Sequence, residues 1–167
     1  MIGDSSRART QSFVILEWHG ACSFRRHEPE ELKARTKKFA VDVIQFARTI
    51  PEDPIDREIA SQLTDAATSV AAHYRAVCRA KSRADFINKL SGAIEEVDES
   101  ALWLEILTEA GVCASSKTTP LCREADELTR IFVRSRETAR AKQKAAKQQA
   151  EKRKESRIKN QQSTPNR

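Results

Sequence analysis

The amino-acid sequence predicts an all-α protein, an up-down-up-down antiparallel four-helix bundle with a basic helical or disordered C-terminal extension. Only 4 Gly and 5 Pro interrupt the 167 residues, while Ala, Glu, Lys, Arg and Leu are plentiful. This composition favours helix. Apolar residues recur at spacings of three and four along four segments, and the connections between these segments are short. Short connections make consecutive helices antiparallel neighbours, which gives the bundle.

Three parts are expected along the chain. Residues 1–28 have no sustained period and are predicted to form a loosely ordered N-terminal arm. Residues 29–135 form the predicted bundle, and residues 136–167 form a basic C-terminal tail with almost nothing to bury. The apolar run Phe13–Leu16 is too short for a secretory signal or a membrane span. We therefore expect a cytoplasmic protein that does not associate with membranes.

The first two helices are delimited by proline and by a capping residue. The first helix is predicted to begin near Pro29 and to end at Ile50, because the residue before Pro51 is disfavoured in a helix. Asp53-Pro54 gives the second helix a capping carboxylate and a proline at its first position. The predicted core stripes are Leu32, Phe39, Val43, Phe46 and Ile50, followed by Ile55, Ile59, Leu63, Ala66, Ala67, Val70, Tyr74 and Val77.

The third and fourth helices have similar start signals. Ser82, with Asp85 three residues later, has the spacing of a capping box and opens the third helix, and Gly111 ends it. Thr119-Pro120 is a second cap-plus-proline pair and is predicted to open the fourth helix. The predicted core stripes are Phe86, Leu90, Ala93, Val97, Ala101, Leu104 and Leu107, followed by Leu121, Ala125, Leu128, Ile131 and Phe132.

The third helix also carries apolar residues beyond its main stripe, which predicts an interface with other copies of the chain. Small residues in the middle of the second helix would allow a close neighbour in the same way. The alternative is that the N-terminal arm folds back over this surface and fills it with Phe13, Val14 and Trp18. The residues that widen the stripe are Ile87, Ile94, Leu102, Trp103 and Ile106.

Positive charge is concentrated at the C-terminal end. The formal charge of the chain is +6, but residues 134–167 contain 12 Lys or Arg and 3 Asp or Glu, which leaves the remainder at −3. A basic tail on a mildly acidic body is typical of proteins that bind nucleic acid or another polyanion. The alternative is a solvated helix end that aids solubility.

A second cluster of cations lies in the short connection between the second and third helices. Lys and Arg side chains neutralise phosphates, so both clusters are candidate contacts to the backbone of RNA or DNA. The alternative is that the cations of the turn stabilise the negative end of the second helix and pair with acids. The candidate residues are Arg75, Arg79, Lys81 and Arg83 in the turn, and Arg136, Arg140, Lys142 and Lys144 in the tail.

The residue patterns needed for catalysis are missing from the sequence. It has no Glu-x-x-His motif for a di-metal bundle, no C-x-x-C pair for zinc and no Gly-rich phosphate loop. Cys78 has cationic neighbours that would activate a thiol, but His73 lies five residues away and off its helical face. The acidic run of the third helix is interpreted as a solvated or salt-bridged surface. We predict no catalytic residues, no metal, no cofactor, no small-molecule substrate and no enzymatic activity.

Four stretches of the sequence resemble a known family. They are the run from Gln62 to Tyr74 (QLTDAATSVAAHY), the turn from Arg79 to Phe86 (RAKSRADF), EEVDES from Glu95 and WLE from Trp103. In these stretches the chain resembles the four helix bundle protein family, also called the 23S rRNA intervening sequence protein or S23 ribosomal protein family. The resemblance extends from about Leu32 to Val133.

This resemblance carries expectations about function. The family is similar to the accessory variability determinant of diversity-generating retroelements. Those relatives imply a homo-oligomer, a pentameric barrel of bundles, with a basic surface that binds nucleic acid and a reverse transcriptase. Many members have Pro-Ala-Asn after the serine of the core run, where this chain has Ala71-Ala-His73.

Together, these observations predict a non-enzymatic, homo-oligomeric bundle that binds RNA or DNA through phosphate contacts. An alternative is a protein-interaction adaptor whose basic surface binds an acidic protein partner, such as a reverse transcriptase complex. A further alternative is a structural bundle with no role in nucleic-acid binding. The 5% aromatic content leaves few side chains for stacking on bases, so backbone or shape recognition is expected.

Overall fold

The computed structural model describes residues 29–162, of which residues 29–159 have described side chains. The described chain consists of four helices and contains no strand: α1 (Pro29–Ala47), α2 (Pro54–Val77), α3 (Arg83–Glu109) and α4 (Ser115–Gln162). α1 packs against α2 and α4, and α3 packs against α2 and α4. The predicted antiparallel four-helix bundle is confirmed. The predicted N-terminal arm, residues 1–28, lies outside the described residues.

The predicted start signals of α2 and α3 act as helix caps. The carboxylate of Asp53 accepts hydrogen bonds from the backbone N–H groups of Ile55 (2.9 Å) and Asp56 (3.4 Å). The hydroxyl of Ser82 accepts one from the N–H of Asp85 (3.1 Å). In the reverse direction the Asp85 carboxylate accepts from the N–H of Lys81 (2.8 Å), one residue earlier than a standard capping box requires.

The predicted start of α4 was wrong. The helix begins at Ser115, so Pro120 lies inside it rather than at its first position. A proline this close to the start removes only one intrahelical hydrogen bond, and nearby hydroxyl groups supply others. The Ser115 carbonyl accepts from the hydroxyls of Thr118 (3.2 Å) and Thr119 (2.7 Å). The Thr118 hydroxyl also lies 2.8 Å from that of Thr108, which joins the end of α3 to the start of α4.

The core follows the predicted stripes along all four helices. Tyr74 of α2 stacks on Phe132 of α4, with ring centroids 5.4 Å apart and an interplanar angle of 8°, so the two helices that are not neighbours meet in the centre. One stripe residue was wrong: Ile55 is 71% exposed, because it lies in the first turn of α2 before the helix enters the bundle. Buried core residues from all four helices include Phe39, Val43, Leu63, Val70, Val97, Leu104, Leu107 and Leu128.

The C-terminal extension is helical, and it is continuous with the packed part of α4. Core packing reaches Ala139, which is 7% exposed, whereas every side chain from Lys144 to Lys159 is exposed. We call residues 145–162 the C-terminal projection; at 1.5 Å per residue it is about 27 Å long. In residues 29–162, no helix has a stretch that is long and apolar enough to cross a membrane.

Candidate nucleic-acid interface

The basic connection between α2 and α3 is a tight turn. After Val77 the backbone makes two hydrogen bonds between residues three apart. The N–H of Arg79 donates to the carbonyl of Ala76 (3.0 Å), and the N–H of Ala80 donates to the carbonyl of Val77 (3.0 Å). Ser82 then caps α3. The turn is therefore ordered by its backbone and by a cap.

The α3–α4 register brings the cations of α4 to the same end of the bundle. The Arg136 guanidinium lies 3.5 Å from the hydroxyl of Ser91. Arg83 precedes Ser91 by eight residues, and Lys144 follows Arg136 by eight, which is about 12 Å along each antiparallel helix. Lys144 is therefore level with Arg83. The contact between Thr108 and Thr118 at the other end of the pair has the same register.

The two clusters that the sequence singled out thus lie toward the same end of the bundle. We call it the basic end. It consists of Arg75, Arg79, Lys81, Arg83, Arg136, Arg140, Lys142 and Lys144. Whether these residues contact nucleic acid stays a prediction, but the structure brings all eight to one end of the bundle.

Most cations of the basic end are available to a ligand. Arg75, Arg79, Lys81, Arg140 and Lys144 are exposed. Within the part of the chain that the structure describes, none of these five side chains makes an ion pair. Four of these charges have no carboxylate partner among the described residues, whereas Lys81 interacts with the Asp85 carboxylate and helps to lower its pKa.

The other three cations are more engaged with the protein itself. Arg83 and Lys142 are half-buried, and each has an interaction partner. Arg136 is also half-buried, and its Nε atom is buried without a hydrogen-bond partner among the described residues. Leaving a buried donor unpaired costs stability, so Arg136 is less suited to a purely structural role than a neutral side chain would be.

The acid nearest to the turn does not pair with the turn's cations. Asp85 forms an ion pair with Lys89, one turn further along α3. This hydrogen bond from Lys89, with a second from the backbone N–H of Lys81, lowers the pKa of the Asp85 carboxyl. The charge of Lys81 contributes to the same lowering of the Asp85 pKa, so an acid of the protein balances part of the turn's charge. Arg75 does lie in the last turn of α2, where its charge complements the helix dipole.

Cys78 and His73 do not form a catalytic pair. Burial raises the pKa of the Cys78 thiol, against the opposing effects of Lys33, Tyr74 and Arg79. The thiol is therefore packed rather than activated. His73 points to α3, where its Nε2 lies 3.6 Å from Oε1 of Glu96. Its imidazole ring also lies against Gly92, where an added Cβ would lie only 3.1 Å from the ring.

The outer surface of α3 carries four carboxylates, those of Glu95, Asp98, Glu99 and Glu105; with Leu102 we call it the acidic face. Glu99 accepts a hydrogen bond from the Trp103 indole (3.1 Å). The other three carboxylates have no cationic partner in residues 29–159. Among the described residues, no three His, Cys, Asp or Glu side chains are grouped so that they could hold a metal ion.

The apolar excess of α3 is smaller than the sequence indicated. α3 packs against both α2 and α4, and a helix with two neighbours needs a wide apolar surface. Ile87 is buried, Ile94 and Trp103 are half-buried against the core, and Ile106 is half-buried. Only Leu102, which is 50% exposed, remains as a large apolar side chain on the outer surface of this helix.

Sequence reasoning missed two features that shape this region. The Arg35 guanidinium makes a two-bond contact with the Glu124 carboxylate (2.6 and 2.9 Å), which ties α1 to α4. The shared level of the turn and the α4 cations was also missed. The sequence holds an approximate signal for it, because Arg83 lies 26 residues before the end of α3 and Lys144 lies 29 residues after the start of α4.

Comparisons with known proteins agree with this fold. The profile of the 23S rRNA-intervening sequence protein family matches residues 30–134, well over half of the chain. A solved structure of a protein with unknown function from the S23 ribosomal protein family of Bacteroides thetaiotaomicron VPI-5482 is similar, with 25% sequence identity and a TM-score of 0.61. The match covers 65% of this chain and 97% of that chain. No curated protein matches. This chain belongs to the 23S rRNA-intervening sequence protein family.

Proposed function

We propose that this protein is a non-enzymatic, homo-oligomeric bundle that binds the backbone of RNA or DNA through its basic end. The observation that carries the proposal is the α3–α4 register. It places the cations of the turn level with those of α4, where five of them make no ion pair with the described residues. Separate clusters would each be weak, whereas one surface can neutralise several phosphates together.

The projection extends the same positive surface away from the bundle. Its described part, residues 145–159, carries Lys147, Lys152, Arg153, Lys154, Arg157 and Lys159 against two glutamates. A helix of this kind can lie along a nucleic-acid backbone. A cytoplasmic setting is part of the proposal.

Recognition is expected to depend on the backbone and its shape. Base-specific binding to single strands usually needs exposed aromatic rings. Here the aromatic side chains of the four helices are buried or half-buried, and the Tyr74–Phe132 stack is internal. The described surface therefore offers no aromatic platform for bases.

Binding to generic duplex RNA and to structured RNA at several salt concentrations tests the proposal. Two double charge reversals probe the basic end: Arg75→Glu/Arg79→Glu in the turn and Arg140→Glu/Lys144→Glu in α4. The matched control is Arg48→Glu/Arg123→Glu, which makes the same change in net charge with exposed residues toward the opposite end of the bundle.

The proposal predicts a steep salt dependence for the unmodified protein. The logarithm of the binding constant falls linearly with the logarithm of the salt concentration, and each lost phosphate contact makes this slope shallower by about 0.9. Each double reversal at the basic end should therefore make it shallower by about 2. The control should keep nearly the original slope. A flat salt response, or equal weakening by all three variants, would contradict the proposed site. The adaptor function would then become the leading hypothesis.

A truncation after Lys144 separates the basic end from the projection. If binding is lost in the truncated chain while both reversals of the basic end bind normally, the projection carries the activity and the proposed site is wrong. Light scattering tests the oligomeric part: a monomer mass at micromolar concentration would refute it.

A further inference from the structure

Two surfaces of this chain are complementary in charge. The first is the acidic face of α3, where Leu102 protrudes between Glu95, Asp98, Glu99 and Glu105. A single exposed leucine is ordinary on a protein surface, so it is the four carboxylates around Leu102 that distinguish this face. The described residues of the same chain leave this face uncovered.

The second surface lies on the projection. Ala146 and Ala150 form a shallow depression there, which is flanked by Arg153, Lys154 and Arg157. All of these side chains are exposed. The projection therefore presents small apolar residues next to cations, where the acidic face presents a large apolar residue next to carboxylates.

We propose that the acidic face of one copy binds the C-terminal projection of a second copy. Leu102 would fit over the alanines, with the arginines and the lysine against the carboxylates. The lengths agree: Glu95 to Glu105 spans about 15 Å of helix, and Ala146 to Arg157 spans about 16 Å. A contact of this kind joins two helices by one apolar residue and a surrounding set of opposite charges.

The chain's own projection cannot be the occupant, because it extends away from the acidic face. α4 runs antiparallel to α3, and its Lys144 lies level with Arg83 at the start of α3. The projection, which follows Lys144, therefore leaves the bundle beyond the start of α3. Glu95 lies about 18 Å from Arg83 in the opposite direction. Reaching it would require a break in a continuous helix.

The contact is heterologous, since it joins two different surfaces. Repeating it produces a closed ring, or a filament if the rotation does not close. The projection lies outside residues 30–134, so this contact uses a part of the chain that the family profile does not contain. The inference rests on the oligomeric part of the proposed function and does not depend on nucleic-acid binding.

Sedimentation of the full chain at low and high salt tests the contact. Glu95→Lys/Glu105→Lys reverses the acidic face, and Arg153→Glu/Arg157→Glu reverses the projection. The matched control, Glu58→Lys/Asp65→Lys, makes the same change in net charge as the first variant with two exposed acids on α2. We expect the unmodified protein and the control to associate at low salt and to dissociate as salt rises, because exposed charges more than about 10 Å apart are screened at 0.1 M salt. Either double reversal should weaken association by about tenfold or more.

The decisive measurement is the exchange of charges. A chain that carries all four substitutions has both surfaces reversed, so it should associate again with itself. An equal mixture of the two double variants should also regain mass. In one variant both surfaces are basic and in the other both are acidic, so the two chains bind each other. The proposal is overturned if the double variants keep the original mass, or if neither the fourfold variant nor the mixture recovers it. Retained RNA binding by the Glu95→Lys/Glu105→Lys variant shows that a loss of mass is not a loss of the proposed function.

Discussion

The helical state of the projection is the property of this chain most open to a direct test. No tertiary packing supports the residues after Lys144, since every described side chain there is exposed. An isolated helix of that length is marginal in water, because nucleation is costly. In α4 the packed turns up to Ala139 supply the nucleus, so each later residue needs only to propagate the helix. We therefore predict that the projection depends on its covalent continuity with the bundle.

Ala146→Pro should break this continuity. Proline costs about 3 kcal/mol inside a helix, and the residues beyond it would have to nucleate again. The helices contain 19, 24, 27 and 48 residues, so the segment from Lys147 to Gln162 makes up about one seventh of them, and the circular dichroism signal at 222 nm should fall by up to that fraction. The urea midpoint of the bundle should stay the same. Ala146→Ser is the control and should change neither quantity appreciably. An unchanged signal in the proline variant would refute the nucleation argument.

Three further substitutions test the packing around the basic end by urea unfolding. Phe132→Ala should cost about 3–5 kcal/mol because the ring is fully buried, with Phe132→Leu costing less; a loss below about 1 kcal/mol would contradict the packing. Gly92→Ala should be nearly neutral alone, because the gain in helix propensity is opposed by contact of the added methyl group with the His73 imidazole. In a His73→Ala background the same substitution should stabilise the fold by up to about 1 kcal/mol. An equal effect in both backgrounds would argue against that contact. Asp85→Asn should lose stability at neutral pH. The Lys89 pair lowers the carboxyl pKa in the folded state, so its contribution exists above the unfolded pKa of about 3.9 and disappears as pH falls through the folded value; a pH-independent difference would contradict this.

Local signals predicted most of the fold. Asp53 and Ser82 cap their helices as expected, since a cap depends on only a few neighbouring residues. Pro120 misled because a proline is tolerated slightly inside the start of a helix as well as at its first position, so it does not fix the first residue. Ile55 misled because the apolar period runs to the very end of the helix, whereas the neighbouring helices do not extend far enough to cover its first turn.

The candidate site was only half visible in the sequence. Its residue types were evident, because clusters of Lys and Arg can be counted. That Arg83 and Lys144 lie level required the pairing of two helices. The apolar surplus of α3 was overstated for a related reason: periodicity alone does not reveal that a helix has two neighbours in the bundle.

The two proposals, taken together, predict competition for the projection. Its cations cannot neutralise phosphates and the carboxylates of a second copy at once, whereas the basic end stays available in both cases. By linkage, if nucleic acid weakens association by some factor, association must weaken nucleic-acid binding to the projection by the same factor. Adding a short RNA duplex should therefore lower the number of protein chains in each sedimenting assembly. In the truncation after Lys144 the duplex should have no such effect, since neither the contact nor the competition can form. A mass that rises in proportion to bound RNA, with the protein assembly intact, would show that the projection serves only one of the two roles.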